Sequence, residues 1–113
     1  MPRLSTHVLD TSIGKPAEGI AIDLRFGGGQ VKSAITNSDG RTDEPLILAA
    51  RLQIGVYELT FHAGDYFRRI GAGISDPPFL DEVVIRFGIA DPLTNYHVPL
   101  LLSPYGYSTY RGS

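Results

Sequence analysis

The stretch Ile20-Ala21-Ile22-Asp23-Leu24-Arg25-Phe26-Gly27-Gly28-Gly29-Gln30 decides the fold class. Its first seven residues alternate, with Ile20, Ile22, Leu24 and Phe26 on one side and Ala21, Asp23 and Arg25 on the other. A β-strand turns successive side chains to opposite faces, so this is a strand with one face in a core and one in water. The glycines that follow accept the positive φ of tight hairpin turns, and they predict a return strand over 30–36. The competing reading of a glycine run is a phosphate loop. It needs a Gly-Lys-Ser/Thr continuation and a helix, and neither follows.

The same period recurs outward from this hairpin. Tyr57, Leu59 and Phe61 alternate with Glu58 and Thr60, while Val83, Ile85, Phe87 and Ile89 oppose Val84 and Arg86. Turn residues separate the runs at Gly14-Lys15-Pro16, Asn37-Ser38-Asp39-Gly40, Gly55, Gly71-Ala72-Gly73, Asp76-Pro77-Pro78 and Asp91-Pro92. Short alternating runs at this rhythm predict an all-β sandwich or barrel. One short helix is expected over 65–70, where Tyr66, Phe67 and Ile70 share a side and Gly71 ends the segment.

The length of 113 residues predicts one domain over 1–113, with room for one core but not for an enclosed active-site cavity as well. A site would therefore be a surface cleft or be completed by a second subunit. Ten Lys and Arg against twelve Asp and Glu give a net charge of -2 with no basic run, so nucleic acid is not an expected partner. The absence of cysteine suits a reducing cytosol. The N-terminus lacks an apolar signal core, and no stretch is long and apolar enough to span a membrane. A soluble, unprocessed, cytoplasmic protein is expected.

Two strands have outer faces that are wrong for water. Thr6 and Val8 share one side of the first strand, leaving Ser5, His7 and Leu9 on the other. From Tyr96 onward, Val98, Leu100 and Leu102 form a core face, opposite His97, Pro99 and Leu101. A single exposed Leu means nothing. The same His-plus-Leu pair on two strands points to an outer face covered by another copy of the chain. Taken alone, a histidine in a strand is ordinarily a surface or hydrogen-bonded structural residue, and His62, at the end of the strand closing with Phe61, has only that reading. Three histidines without a short His-x-His pair or a cysteine make a poor zinc set. There is no Gly-x-Ser-x-Gly elbow, and the carboxylates of Asp39, Asp43, Glu44, Asp76, Asp81 and Glu82 lie in or beside turns without a pair suited to glycosidase chemistry.

Three segments together resemble the transthyretin-related hydroxyisourate hydrolases. They are Leu4-Ser5-Thr6-His7-Val8-Leu9-Asp10 continuing through Gly14-Lys15-Pro16-Ala17, then Thr36-Asn37-Ser38-Asp39-Gly40-Arg41-Thr42, and the run from Tyr96 to the closing Tyr110-Arg111-Gly112-Ser113. The strand from Gly55 to Phe61 and the segment Gly64-Asp65-Tyr66-Phe67 also resemble the family's, so the likeness spans essentially the whole chain. Its most specific element is the Tyr-Arg-Gly-Ser ending, which marks the family's enzymes off from its hormone carriers. The Gly27–Gln30 hairpin is short beside many relatives.

The resemblance implies an eight-stranded transthyretin-like (prealbumin-like) β-sandwich of two antiparallel sheets with one short helix. It also implies a homotetramer, a dimer of dimers, with active sites in the groove where the dimers meet. The substrate implied is the small molecule 5-hydroxyisourate, with no metal or organic cofactor. His7 and His97 are the implied proton-transfer residues, and which one is the base stays open. Arg41 is implied to bind the oxygen-rich substrate and stabilise developing charge. Ser113 is implied to help hold the nucleophilic water, with Tyr110, Arg111 and Gly112 placing it and bordering the substrate. The rival reading is a small-ligand carrier using Leu9, Leu101 and Ser108, for which the polar set of His7, Arg41 and His97 has no use. A bare scaffold module leaves those histidines unexplained. Extension past Ser113 is expected to harm an enzyme and spare either rival.

Overall fold

The structure is a computed structural model that describes residues 2–48 and 51–112. Among these residues nine strands and one helix follow in order: β1 (Arg3–Asp10), β2 (Lys15–Pro16), β3 (Ala21–Phe26), β4 (Gly29–Ile35), β5 (Ile47–Leu48), β6 (Gly55–His62), α1 (Ala63–Arg69), β7 (Glu82–Ile89), β8 (Tyr96–Ser103) and β9 (Gly106–Thr109). One sheet runs β2-β1-β8-β9 with β5 paired to the start of β1. The other runs β4-β3-β6-β7. The two sheets and the short helix of the expected sandwich are present. The first sheet, however, is mixed rather than antiparallel, because β1 and β8 are parallel along their length, from Leu4↔Tyr96 to Asp10↔Leu102. Side-chain alternation is the same in either direction, so the residue pattern carried no sign of it. Parallel neighbours need a long crossover, and here the whole second sheet is built between them.

The predicted hairpin forms with Gly27 and Gly28 as its two-residue loop, both at positive φ (61° and 81°), and Phe26 faces Gly29 across it. The core lies between the sheets. Leu4, Val8, Leu100 and Leu102 enter from the first, and Ile22, Leu24, Leu59 and Phe61 from the second, all essentially fully buried. Each such side chain contributes on the order of 1.5–3 kcal/mol relative to exposure. Phe26, Tyr57 and Phe87 stand in register across β3, β6 and β7, with stacked ring centroids 4.3 and 5.9 Å apart. Such cross-strand aromatic rows tie a sheet together beyond their buried area.

The helix begins two residues earlier than its pattern indicated, and Ile70 is its exposed C-cap rather than part of the packed side. Tyr66 and Phe67 are the residues that dock it. The Tyr66 hydroxyl donates to Asp10 Oδ2 at 2.7 Å, and Asp10, at the end of β1, is fully buried. The Ser12 backbone N–H donates to the other carboxylate oxygen at 3.0 Å, and the Ser12 hydroxyl joins it. Burial and the neighbouring carboxylate push the Tyr66 phenol far above its ordinary range, so the hydroxyl keeps its proton as a donor. A buried carboxylate is tolerated only when its lone pairs are met in this way. Tyr66→Phe should therefore lower unfolding free energy by about 2 kcal/mol, the scale of a hydrogen bond to a charged group. Urea titration of parent and variant measures it, and a change below about 0.5 kcal/mol would remove this contact from the account of the fold.

Candidate active site

Parallel pairing of β1 and β8 puts Ser5 opposite His97, His7 opposite Pro99 and Leu9 opposite Leu101 on one outer face. His7, Leu9, His97 and Leu101 are half-buried even within a single chain, as expected for a face partly closed by its surroundings. The Ser5 hydroxyl lies 2.9 Å from His97 Nδ1. Burial, followed by the influence of neighbouring Arg41, His7 and Arg3, holds His97 below its ordinary value of 6.5, which favours the neutral ring at pH 7.

A five-residue turn brings Arg41 to the same place. The Asn37 side-chain carbonyl accepts from the backbone N–H of Asp39 at 2.9 Å and of Arg41 at 3.2 Å, and Asn37 N–H donates to Arg41 O at 2.7 Å. The turn is then sewn to β1, where Val8 N–H donates to Gly40 O at 2.8 Å and His7 forms an isolated antiparallel bridge with Arg41. Gly40 has a φ of +74°, and a Cβ there would collide with Val8 O and lie 3.3 Å from His7 Cδ2. Only glycine lets the turn close on the histidine strand. Arg41 itself is exposed.

The end of the chain is held in a matching way against His97. Gly112 bridges His97 and its N–H donates to His97 O at 2.7 Å, continuing the register in which Leu100 faces Thr109. A Cβ on Gly112 would stand 2.7 Å from His97 Cδ2. Arg111, one residue before, turns to the opposite side. Its guanidinium lies 4.1 Å from the Tyr96 ring centroid and donates to Asn95 O at 3.1 Å. Tyr110 is largely exposed, and Ser113 lies outside the described residues. A concavity of about 210 Å³ opens at this corner, lined by Arg3, Ser5, Arg41, Asn95 and His97. Larger clefts of about 350 and 360 Å³ lie elsewhere and contain no histidine, so volume alone does not pick out the chemistry. Among the described residues no group of three or more His, Cys, Asp or Glu side chains gathers to hold a metal ion, and no helix is long and apolar enough to cross a membrane.

A model of the HIUase/Transthyretin family matches residues 4–112. The chain belongs to that family. It is 60% identical over 115 residues to the 5-hydroxyisourate hydrolase 2 of Rhizobium meliloti (strain 1021), covering 98% of this chain and 96% of that protein. The solved structure of Klebsiella pneumoniae 5-hydroxyisourate hydrolase is 39% identical with a TM-score of 0.84, over 100% of this chain and 94% of the other. The crystal structure of (S)-allantoin synthase is 45% identical with a TM-score of 0.94 over 99% of this chain, which spans 44% of that longer chain.

Of the residues singled out in this HIUase/Transthyretin chain, the structure gathers His7, Arg41, His97 and Gly112, and turns the Arg111 side chain away. Ser5 and Asn37 were quoted in the sequence motifs without a role. Asn followed three residues later by glycine is a legible turn signal for Asn37. Ser5 had only its shared parity with His7 to recommend it. Gly112→Ala should press the terminal bridge away from His97. Backbone amide shifts at 111–112 and at His97 should move while those of β3 and β6 stay in place, and unmoved shifts at His97 would mean that the glycine is not required.

His62 lies apart from this site, on the outer side of the second sheet. Its Nε2 meets Asp23 Oδ2 at 2.8 Å, with Ser33 donating to the other Asp23 oxygen at 2.9 Å and Glu82 3.7 Å from Nδ1. The Asp23 hydrogen bond raises His62 above its ordinary value of 6.5, and the His62 hydrogen bond lowers Asp23 below 3.8. The His62 contribution is therefore fully present below pH 6.5 and lost as pH rises through its folded value. The Asp23 contribution is present above 3.8 and lost as pH falls through its folded value. The parent should exceed a His62→Gln variant in stability by up to about 1 kcal/mol near pH 5.5, and by less at pH 8.5. Equal differences at both values, by chemical denaturation, would rule out a charged pair.

Proposed function

We propose that this protein hydrolyses 5-hydroxyisourate to 2-oxo-4-hydroxy-4-carboxy-5-ureidoimidazoline in urate degradation. The observation that carries this reading is the meeting, on one half-buried face, of two imidazoles and a guanidinium from three separate stretches of chain. Ring opening needs a water made nucleophilic near neutral pH, a stabiliser for charge on the attacked carbonyl oxygen, and a proton for the departing nitrogen. His7 and His97 suit the proton-transfer steps because imidazole titrates close to working pH. Arg41, exposed at the rim, offers a fixed fork of donors to a planar substrate rich in carbonyl oxygens. Tyr110, largely exposed, is assigned to the substrate's border, Gly112 places the terminus, and Ser113 is assigned to the water. Arg111 serves through its grip on Tyr96 and Asn95 rather than by touching substrate.

The same reading makes the working form a homotetramer, a dimer of dimers, in which another copy covers the His7, Leu9, His97 and Leu101 face and completes the groove. A shallow concavity of about 210 Å³ on one chain is consistent with a site that needs a second wall. The reaction is placed in the cytoplasm, in keeping with a chain that has no cysteine.

The test is the decay of hydroxyisourate freshly made by urate oxidase, followed by ultraviolet absorbance against the spontaneous rate. The protein should accelerate decay, and His7→Ala or His97→Ala should each cost about 10²–10⁴-fold in kcat/KM with folding intact. Failure of a folded tetramer to accelerate decay would overturn the hydrolase reading and leave a carrier of small apolar ligands in its place.

A further inference from the structure

Ser5 faces His97 directly in the β1–β8 register, and its hydroxyl is 2.9 Å from Nδ1. A neutral imidazole has one proton for two nitrogens, and the partner of one nitrogen decides what the other presents. His97 is neutral because it is desolvated and surrounded by Arg41, His7 and Arg3. Nδ1 is the only hydrogen-bond partner of the Ser5 hydroxyl among the described residues. If Ser5 donates, its proton is satisfied, Nδ1 acts as acceptor, and the ring's own proton sits on Nε2. If Ser5 accepts instead, its proton is left without a protein acceptor among those residues. Gly112 closes on the ring at Cδ2, the carbon beside Nε2, so the imidazole is held along two edges.

We propose that Ser5 is a positioning residue that fixes His97 as the Nε2–H tautomer, so that His97 serves ring opening as a neutral hydrogen-bond donor while His7 alone carries the proton. This rests on the hydrolase reading above and divides labour within it. The water oxygen bonds to the ring carbonyl carbon and one water proton passes to His7. Charge gathers on the carbonyl oxygen, to which His97 Nε2–H donates without losing its proton, as a neutral imidazole is suited to do. The C–N bond then breaks with its electron pair on nitrogen, which takes the proton back from His7. The second water proton stays on the new carboxyl group, and both imidazoles end as they began.

The chain has three histidines, so the test is tractable. Two-bond ¹H–¹⁵N spectra of histidine-labelled, substrate-free protein separate protonated from bare ring nitrogens, and His7→Gln and His62→Gln variants assign the signals. The parent and Ser5→Thr should hold His97 as Nε2–H, whereas Ser5→Ala should show mixed tautomers. Ser5→Ala should also lose about 10- to 100-fold in kcat with KM little changed, and Ser5→Thr should restore it. Nδ1–H in the parent, or a tautomer indifferent to Ser5→Ala, overturns the proposal. A Ser5-dependent Nε2–H in a protein that does not accelerate hydroxyisourate decay instead sinks the hydrolase reading and His97's part in it, leaving only the contact.

Discussion

Parallel pairing of β1 with β8 is the constraint on which the rest of the molecule depends. It joins the first strand of the chain to one whose His97 lies 92 residues after Ser5, and in doing so gives the sandwich an inner face of Leu4, Val8, Leu100 and Leu102 and an outer face carrying both site histidines. A slip of one residue in either strand would send its histidine into the core and its leucines into water. The buried alternation therefore locks the register, and the register places the imidazoles. The second sheet and the helix support this arrangement. Tyr66 grips Asp10 at the end of β1, so the strand that carries His7 is anchored to the only helix among the described residues.

Each histidine is then reached by a backbone segment that ends in a glycine pressed against its ring. The turn organised by Asn37 delivers Gly40 and Arg41 to His7, and the terminal segment delivers Gly112 to His97. Both approaches use the sheet edge, where an extra bridge satisfies backbone groups that β1 and β8 leave open. The electrostatic result is a corner crowded with positive charge and little opposing carboxylate. Partial burial, and after it these neighbours, favours the neutral form of the half-buried His97. The third histidine shows the contrast. Surrounded by Asp23 and Glu82, His62 is drawn toward its charged form and behaves as half of an ion pair.

The legible parts of this architecture were those with a short-range physical signature. Period-two alternation located β3, β6 and β7, the glycine pair located the β3–β4 turn, and the His-plus-Leu parity identified the two strands whose outer faces matter. The helix was legible in its docking residues but not in its limits, because Ala63 and Gly64 at its start carry no apolar pattern. The Asp10–Tyr66 bond spans 56 residues and has no local signal at either end. The direction of Arg111 was equally hidden, since stacking on Tyr96 depends on the adjacent bridge between His97 and Gly112, which are 15 residues apart in the chain.

By itself the sequence determined the sandwich, the core positions, the family and the residue types of the site, because each follows from alternation, turn chemistry or a contiguous motif. Only the tertiary structure decided that β1 and β8 are parallel, that Ser5 holds His97, that two glycines close on the site rings, and that Arg111 faces away. These are outcomes of pairing between distant segments. Strand direction and partner choice are set by how the sheets bury their apolar faces together, a property of the whole chain that no single stretch encodes.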